Sequence, residues 1–316
     1  MLKKFIWAFV IMIGIVVVGI AGYAYYLYDS VKDTANDIHE PIDPEREKEQ
    51  PKPKVDDKNA PQPISILLLG VDERENDQGR SDTMIVMTVN PEKKSMYMFN
   101  IPRDSRTEII GKGIDDKINH AYAFGGTKMA VETVENFLDI PINYYIKVNM
   151  ESFQDIVDAV GGVTVDNRLA FSDNGFSYPK GQIQLENGEK ALTYVRMRKQ
   201  DHRGDLGRNE RQRQVIKGVI DKGARVSSIS KFDNILDVIS DNVKTNMTFS
   251  EMKDIQANYK DARKDLKTFE VDARGTNING IFYFIVSEEE RNSISERLKE
   301  HLEINSSNAS TEEDAA

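Results

Sequence analysis

Read from its N-terminus, the chain changes hydrophobic pattern three times. Residues Phe5 to Tyr28 form a run of 24 without one charged side chain. As a helix rising about 1.5 Å per residue, such a run spans roughly 36 Å, enough to cross a hydrocarbon layer of about 30 Å. The pattern predicts a transmembrane signal-anchor helix over 5–28, with Tyr23, Tyr25, Tyr26 and Tyr28 as an interfacial aromatic belt. A cleaved signal peptide ending near Gly22-Tyr23-Ala24 is the competing reading, but the apolar run outlasts a typical signal core. Residues 29–63 then turn polar, with Pro41, Pro44, Pro51, Pro53 and Pro61 set among acids and lysines. Such a stretch buries too little apolar surface to fold, and it is expected to be an extracytoplasmic tether.

Beyond the tether, strand and helix patterns interleave. Ile64 to Val71 is an almost unbroken apolar run, as a strand covered on both faces requires. Thr83–Val89 and Ser95–Ile101 read as two strands joined at the turn signal Asn90-Pro91-Glu92-Lys93. Helical spacing appears over Thr127–Leu138, after a Gly125-Gly126 break, and again over Ser152–Val160, 187–195 and 206–222. Further strands are predicted at Ile142–Val148, Leu266–Val271 and Ile281–Val286, and a last helix opens on the capping pattern Ser287-Glu288-Glu289-Glu290. The alternation predicts an α/β fold, a single domain over 64–302 with a central mixed β-sheet flanked by α-helices. One transmembrane helix precedes it, residues 1–4 form a short cytoplasmic N-terminus, and a small, acidic tail, 303–316, follows.

Composition adds the setting. The 316 residues carry a net charge of −10 and no cysteine, which removes disulfide frameworks, thiolate metal sites and thiol catalysis together. Lys3 and Lys4 precede the apolar run, whereas Asp29, Asp33, Asp37 and Glu40 follow it against Lys32 alone. By the positive-inside rule the N-terminus faces the cytoplasm and the domain lies outside, a single-pass type II arrangement. No Walker loop, GxSxG elbow or dinucleotide fingerprint is present, which argues against nucleotide-driven and serine-hydrolase chemistry. An acidic domain outside the membrane is also a poor partner for nucleic acid.

Strand geometry gathers distant charges. Strand 64–71 ends at Asp72, strand 83–89 begins after Asp82, and the hairpin 83–101 turns back so that Arg103-Asp104 returns to the same edge. Arg74 and Arg80 lie on the loop between the first two. Two carboxylates beside arginines suit a magnesium-bridged phosphate, with oxygen ligands on the ion and guanidiniums on the anion. The other reading makes Asp72 and Asp82 turn residues, solvated or paired with Arg74 and Arg80.

The stronger anomaly is Arg196 to Arg213, six arginines and one lysine against three acids, a local +4 in an acidic chain. Arginine dominates, as bidentate phosphate recognition prefers. With the chain extended after Val195, Arg196 and Arg198 project to one side, while Arg208 and Gln212 share the helix face marked by Val215, Ile216, Val219 and Ile220. A solvated, salt-bridged helix face is the expectation for Arg211 and Arg213. Asp205 is read as a cap for the helix beginning at Leu206. Lys117 reads equally as a phosphate ligand or half of a surface pair. Gly125-Gly126-Thr127 reads as a plain helix cap ahead of an anion site. His39, His120, His202 and His301 show no metal-ligand spacing, and His39 and His301 are expected to be solvated.

At these motifs the chain resembles the LytR-CpsA-Psr family over nearly its whole length. The residues carrying the resemblance are Leu67-Leu68-Leu69-Gly70-Val71-Asp72-Glu73-Arg74, Gly79-Arg80-Ser81-Asp82-Thr83 and Ile101-Pro102-Arg103-Asp104. They continue through 116–126 (DKINHAYAFGG), Val160-Gly161-Gly162-Val163 and the arginine run 196–213. The resemblance implies a phosphotransferase that moves a glycopolymer, wall teichoic acid in the branch most similar, from a polyisoprenyl pyrophosphate carrier to a muramic acid hydroxyl of peptidoglycan. It further implies that Asp72 and Asp82 hold Mg²⁺, or Mn²⁺ in its place, and that no nucleotide is used. Arg80, Arg103, Lys117, Arg196, Arg198, Arg208 and Gln212 would grip the pyrophosphate, with Asp205 and Arg74 supporting and Arg103, Asp82 and Arg198 closest to the chemistry. The lipid tail would occupy an apolar pocket between sheet and helices. His202 and Ser105-Arg106 depart from the family's common pattern, which leaves the choice of polymer open. A lipid-pyrophosphate hydrolase and a non-catalytic regulator that binds anionic polymers or lipids are the rival readings.

Overall fold

The structure is a computed structural model that describes residues 25–43, 45–46, 52–56, 60–73, 79–149, 152–223 and 232–304. Helix α1 covers residues 25–37. Strands β1 (Ile64–Val71), β2 (Ser81–Asn90) and β3 (Ser95–Asn100) form a meander, followed by the hairpin β4 (Arg106–Ile109) and β5 (Ile114–Lys117). Helix α2 (His120–Leu138) leads to β6 (Tyr144–Asn149), and α3 (Ser152–Ala159) to the short strands β7 (Val163–Asn167), β8 (Phe171–Asp173), β9 (Phe176–Tyr178) and β10 (Gly181–Leu185). Helices α4 (Gly188–Arg196), α5 (Asp205–Gly223) and α6 (Phe232–Asn242) come next, then β11 (Val243–Thr245) and α7 (Phe249–Asn258). The chain closes with β12 (Asp265–Thr268), the hairpin β13 (Arg274–Ile278) and β14 (Ile281–Ile285), and α8 (Glu288–Leu302).

Six strands make the central sheet in the order β11-β6-β1-β2-β3-β12. β1 pairs antiparallel with β2 but parallel with β6, and β12 runs parallel to β3, so the sheet is mixed as the alternation predicts. Both faces of β1 are covered, which explains its almost unbroken apolar sequence. Leu67, Leu69 and Val71 pack with Val131, Val134 and Phe137 of α2 and with Ile294 and Leu298 of α8. Ile64 and Ile66 face the other way, toward Met247, Tyr259 and Ile255. A separate small core forms where Val163, Tyr178, Tyr194 and Val215 bring the short strands together with α4 and α5.

Three expectations are corrected. Where it is described, the proline-rich segment is not free chain: Ala35, Ile38 and Val55 are buried, and Arg46 makes a two-pronged ion pair with Glu135 at 2.6 and 2.7 Å. Its few apolar residues suffice because the domain presents a preformed edge, at which His39 bridges to Thr245. The Gly125-Gly126 break lies inside α2, not before it, at φ/ψ of −150°/21° and 64°/−152°; the second pair is one that glycine tolerates. Ser287 caps α8 through the Glu290 N–H, but the Glu290 carboxylate turns to the Asp272 N–H, so the reciprocal half of the capping pattern goes elsewhere. The anchor predicted over 5–28 lies outside the described residues up to position 24; Tyr25, Tyr26 and Tyr28 are exposed. Among the described residues no helix is long and apolar enough to cross a membrane.

Neither histidine expected in solvent stands free. His39 meets the Met247 carbonyl at 3.1 Å. His301 is 4% exposed between the Thr88 and Ser95 hydroxyls, at 2.8 and 3.0 Å. Burial, with Lys93 and Lys267 nearby, pushes its imidazole down to about 4. The unfolded imidazole titrates near ~6.5, so between that pH and 4 the unfolded chain binds a proton that the folded chain refuses. Stability therefore falls as pH drops through this window. Denaturant unfolding should show the wild-type chain losing about 2 kcal/mol more than His301→Gln between pH 7 and 4.5. Equal losses would refute the assignment.

Candidate active site

The site starts from one irregularity in the sheet. β1 and β2 stay in register from Ile64↔Val89 to Gly70↔Thr83, and then Val71 pairs with Ser81. Asp82 is the extra residue of a β-bulge, within β2 and not just ahead of it as expected. Bulges re-aim side chains, and this one frees Asp82 from the ladder at the sheet's edge. The Arg80 carbonyl accepts from the Asp72 N–H at 3.2 Å and the Asp82 N–H at 3.1 Å, which fixes both aspartates to one turn. Gly79 permits the return: its φ is +66°, and a Cβ there would fall 2.1 Å from the Asp72 carbonyl oxygen.

The β2–β3 hairpin brings Arg103 back to this edge, as the strand geometry requires. Its Nη1 lies 3.0 Å from Asp82 Oδ1, and its Nε lies 3.7 Å from Asp104. Asp104 also binds Lys117 at 2.8 Å, which makes Lys117 part of the group instead of a remote surface pair. Backbone bonds from Ser105 to Pro102, Asn119 to Arg103 and Phe284 to Asp104 hold the turn. Asp72, Arg80, Asp82, Arg103, Lys117 and His120 all line one open cavity of about 460 Å³.

Helix α5 and the segment before it supply further cations. Arg208 is 9% exposed and pairs with Asp205 Oδ1 at 2.9 Å, while Arg198 reaches the same oxygen at 3.9 Å. Burial lowers the Arg208 guanidinium below the usual arginine range; Asp205 opposes this, and Arg103 and Arg198 add to it. Arg208 Nε is buried with no partner among the described residues, as expected of a group awaiting an anion. Asp205, read from the residues as a cap and expected from the resemblance to support the arginines, is the first residue of α5 and the shared counter-charge of two arginines. Arg196 is the last residue of α4 and not part of an extended chain as expected; it is exposed like Arg198, with buried Met197 between them. Arg80 is exposed at the cavity rim, and Arg74 lies outside the described residues.

Arg211 and Arg213 are not solvated. Both are buried, Arg211 with Asp201 at 2.7 Å and the Met197 carbonyl at 2.5 Å, Arg213 with Asn100 Oδ1 at 2.7 Å and Glu270 at 3.6 Å. Gln212 donates to the Thr83 hydroxyl at 2.9 Å and accepts from Asn100 at 3.2 Å, which pins α5 across β2 and β3. Their spacing every two or three residues looked like a surface stripe; only the packing of α5 across a sheet end buries it.

Behind Gln212 lies a second cavity of about 310 Å³, lined by Leu68, Ile146, Phe153, Val195, Ile216 and Val219 among others. The face of Val215, Ile216, Val219 and Ile220 is therefore divided. Val215 is fully buried, whereas the other three border this space. Thr83 and Gln212 also border it. Thr83 follows Asp82 in β2, and Gln212 sits one turn beyond Arg208 in α5, so the charged and apolar cavities adjoin.

Comparison with known proteins places the chain among relatives of known name. The model of the LytR_cpsA_psr family matches residues 25–300. The polyisoprenyl-teichoic acid–peptidoglycan teichoic acid transferase TagU of Bacillus subtilis is 52% identical over 301 residues, 95% of this chain and 97% of that protein. TagU of Halalkalibacterium halodurans is 49% identical over 304 residues, 96% of this chain and 100% of that protein. The crystal structure of B. subtilis TagU superimposes with a TM-score of 0.64, over 77% of this chain and 98% of that one, at 52% identity. TagT bound to LIIa-WTA superimposes with a TM-score of 0.64 at 30% identity, over 77% and 92% of the two chains.

The two classes of arginine predict opposite phenotypes. Arg211→Ala leaves Asp201 buried without its partner and should cost about 3–5 kcal/mol of stability. Arg208→Ala should instead weaken inorganic pyrophosphate binding by about tenfold or more, with a smaller change in Tm. Calorimetric titration and thermal melts on both variants check this. Indistinguishable effects would refute the division.

Proposed function

This chain belongs to the LytR_cpsA_psr family, and on that footing we propose that it transfers a glycopolymer, wall teichoic acid, from a polyisoprenyl pyrophosphate to peptidoglycan. The observation that carries the reading is the adjacency of two unlike cavities. One is edged by Arg80, Arg103 and Lys117; the other is apolar, and Thr83 and Gln212 stand at its junction with the charged group. A lipid with a doubly charged phosphate head needs both. Arg103 and Arg208, each oriented by a carboxylate, would grip the diphosphate, with Lys117, Arg80, Arg196 and Arg198 around it and Gln212 at the start of the tail.

Breaking a pyrophosphate requires charge on the departing phosphate and on the phosphoryl group in transit to be stabilised while the acceptor is held in line. The fixed guanidiniums do this without a covalent nucleophile. Asp82 and Asp104 hold Arg103 from two sides, and Asp205 holds Arg208, so little reorganisation is needed when the anion arrives. Asp72 and Asp82 offer two oxygen donors to the same cavity, and among the described residues no cluster of three or more candidate ligands stands there. That donor set fits Mg²⁺, which takes one or two carboxylates and completes its shell with water and substrate phosphate. When bound, the ion would neutralise developing phosphate charge. The anchor over 5–28 would leave the domain outside the membrane, near the headgroups from which the lipid donor comes.

The full chain in detergent micelles, given a synthetic polyprenyl-pyrophosphate glycan, Mg²⁺ and uncrosslinked peptidoglycan, should yield a glycan–peptidoglycan phosphodiester. Release of the glycan phosphate to water alone would favour a hydrolase, and binding without turnover would favour a regulator. Filling the apolar cavity with Ile216→Trp should weaken binding of the long-chain donor by about tenfold while leaving inorganic pyrophosphate affinity unchanged. A variant with unaltered donor affinity would place the tail elsewhere.

A further inference from the structure

The cavity that holds Arg103 and Lys117 also contains an imidazole to which the phosphate-binding scheme gives no task. His120 opens α2 on the cavity wall with its side chain 20% exposed. Its Nδ1 lies 2.7 Å from Asp116 Oδ2. The other oxygen of Asp116 accepts from the Lys117 N–H at 2.8 Å and from the Tyr283 hydroxyl at 3.4 Å. Burial alone would raise this carboxyl, but the bonds from His120, Lys117 and Tyr283 outweigh it and hold it below the usual carboxylate range.

An ionised carboxylate only accepts, so Nδ1 carries a proton, and in the neutral imidazole the lone pair is the one on Nε2. Nε2 has no hydrogen-bond partner among the described residues. A carboxylate on one imidazole nitrogen, with the other nitrogen free in a cleft, is the arrangement by which hydroxyl groups are activated. Phe124, edge-on to the ring at 6.0 Å, flanks it on the solvent side.

We propose that His120 is the general base of the transfer, oriented by Asp116, and that its Nε2 removes the proton from the acceptor sugar hydroxyl. This deepens the function proposed above and rests on it. As the proton passes to Nε2, the acceptor oxygen forms a bond to the phosphorus bearing the glycan. The bond from that phosphorus to the bridging oxygen breaks, and the polyprenyl phosphate leaves with the electron pair. The imidazolium then returns its proton to solvent. Asp116 touches no reacting atom and is a positioning residue.

The groups around the imidazole are Asp116 and Lys117 from β5, Tyr283 from β14, Arg103 and Asp104 from the turn after β3, and Asp72, Arg80 and Asp82 across the cavity. Lys112 lies beyond Phe124. The test therefore separates the base from these neighbours by its own pH limb and by chemical rescue. With the full chain in micelles, His120→Gln should bind the synthetic lipid-pyrophosphate glycan as the wild type does. Its single-turnover transfer rate should fall by about 100-fold or more, without the acid limb that protonation of a histidine produces. In His120→Ala, added imidazole should restore part of the rate, and Asp116→Asn should slow transfer with donor affinity intact. Transfer by His120→Gln within about threefold of wild type, or a loss wholly explained by weaker donor binding, would overturn the assignment alone. Failure of the wild type to form any phosphodiester would overturn the function first, and this inference with it.

Discussion

A guanidinium cannot give up its proton inside a protein, so each arginine that folding removes from water must take a fixed acceptor with it. Helix α5 places Arg208, Arg211 and Arg213 in that position within two turns. Much of the surrounding structure answers this demand. Asp201 lies against α5 to meet Arg211, and it can do so because position 207 is glycine; a Cβ there would come within 1.8 Å of its carboxylate. Asn100, at the end of β3, meets Arg213 and also joins Gln212, so one asparagine fixes the helix to the sheet. Arg208 is left with Asp205 and an Nε that has no partner among the described residues. Two of the three arginines serve the fold, and the third remains free to serve a ligand.

Much of this was legible from sequence, for reasons that differ by element. β1 was clear because burial on both faces leaves Ser65 as its one polar residue, and the return of Arg103 to Asp82 follows from the parity of a hairpin. The bulge was not legible. It depends on one residue's slip opposite Gly70 and Val71, at Ser81-Asp82-Thr83, where three polar residues in a row give hydrophobic alternation nothing to register. The short strands β4, β5, β7 to β10 and β13 escaped because three to five residues carry too little periodicity. Arg211 and Arg213 were misread because charge at helical spacing normally means solvent, and only the sheet end at Asn100 and the loop at Asp201 make it mean burial. The apolar cavity was half visible, since Ile216, Val219 and Ile220 announced an inward face without revealing that it fronts empty space.

The segment between the proposed anchor and the sheet bears on function as well as on fold. Glu40 donates its N–H to the Thr245 carbonyl at 2.8 Å, Tyr28 packs edge-on against Phe249, and Arg46 is clamped by Glu135 on α2. These contacts tie the start of the described chain to edge strand β11, to α7 and to α2 of the fold that holds the cavities. A domain held this way would present its site to the membrane from a restricted range of orientations. That suits a donor drawn from the lipid layer, whose diphosphate must be met just above it.

The central claim is that a single ligand places its diphosphate among Arg103, Lys117 and Arg208 and its tail against α5. The direct measurement is photocrosslinking with a prenyl pyrophosphate bearing a diazirine near the end of its tail, followed by mass-spectrometric mapping of the labelled residues. The account predicts labels clustered around Ile216, Val219 and Phe153. A further cavity lined by Pro53, Pro141 and Leu302 offers the tail another lodging. Labels concentrated there, with α5 untouched, would contradict the account.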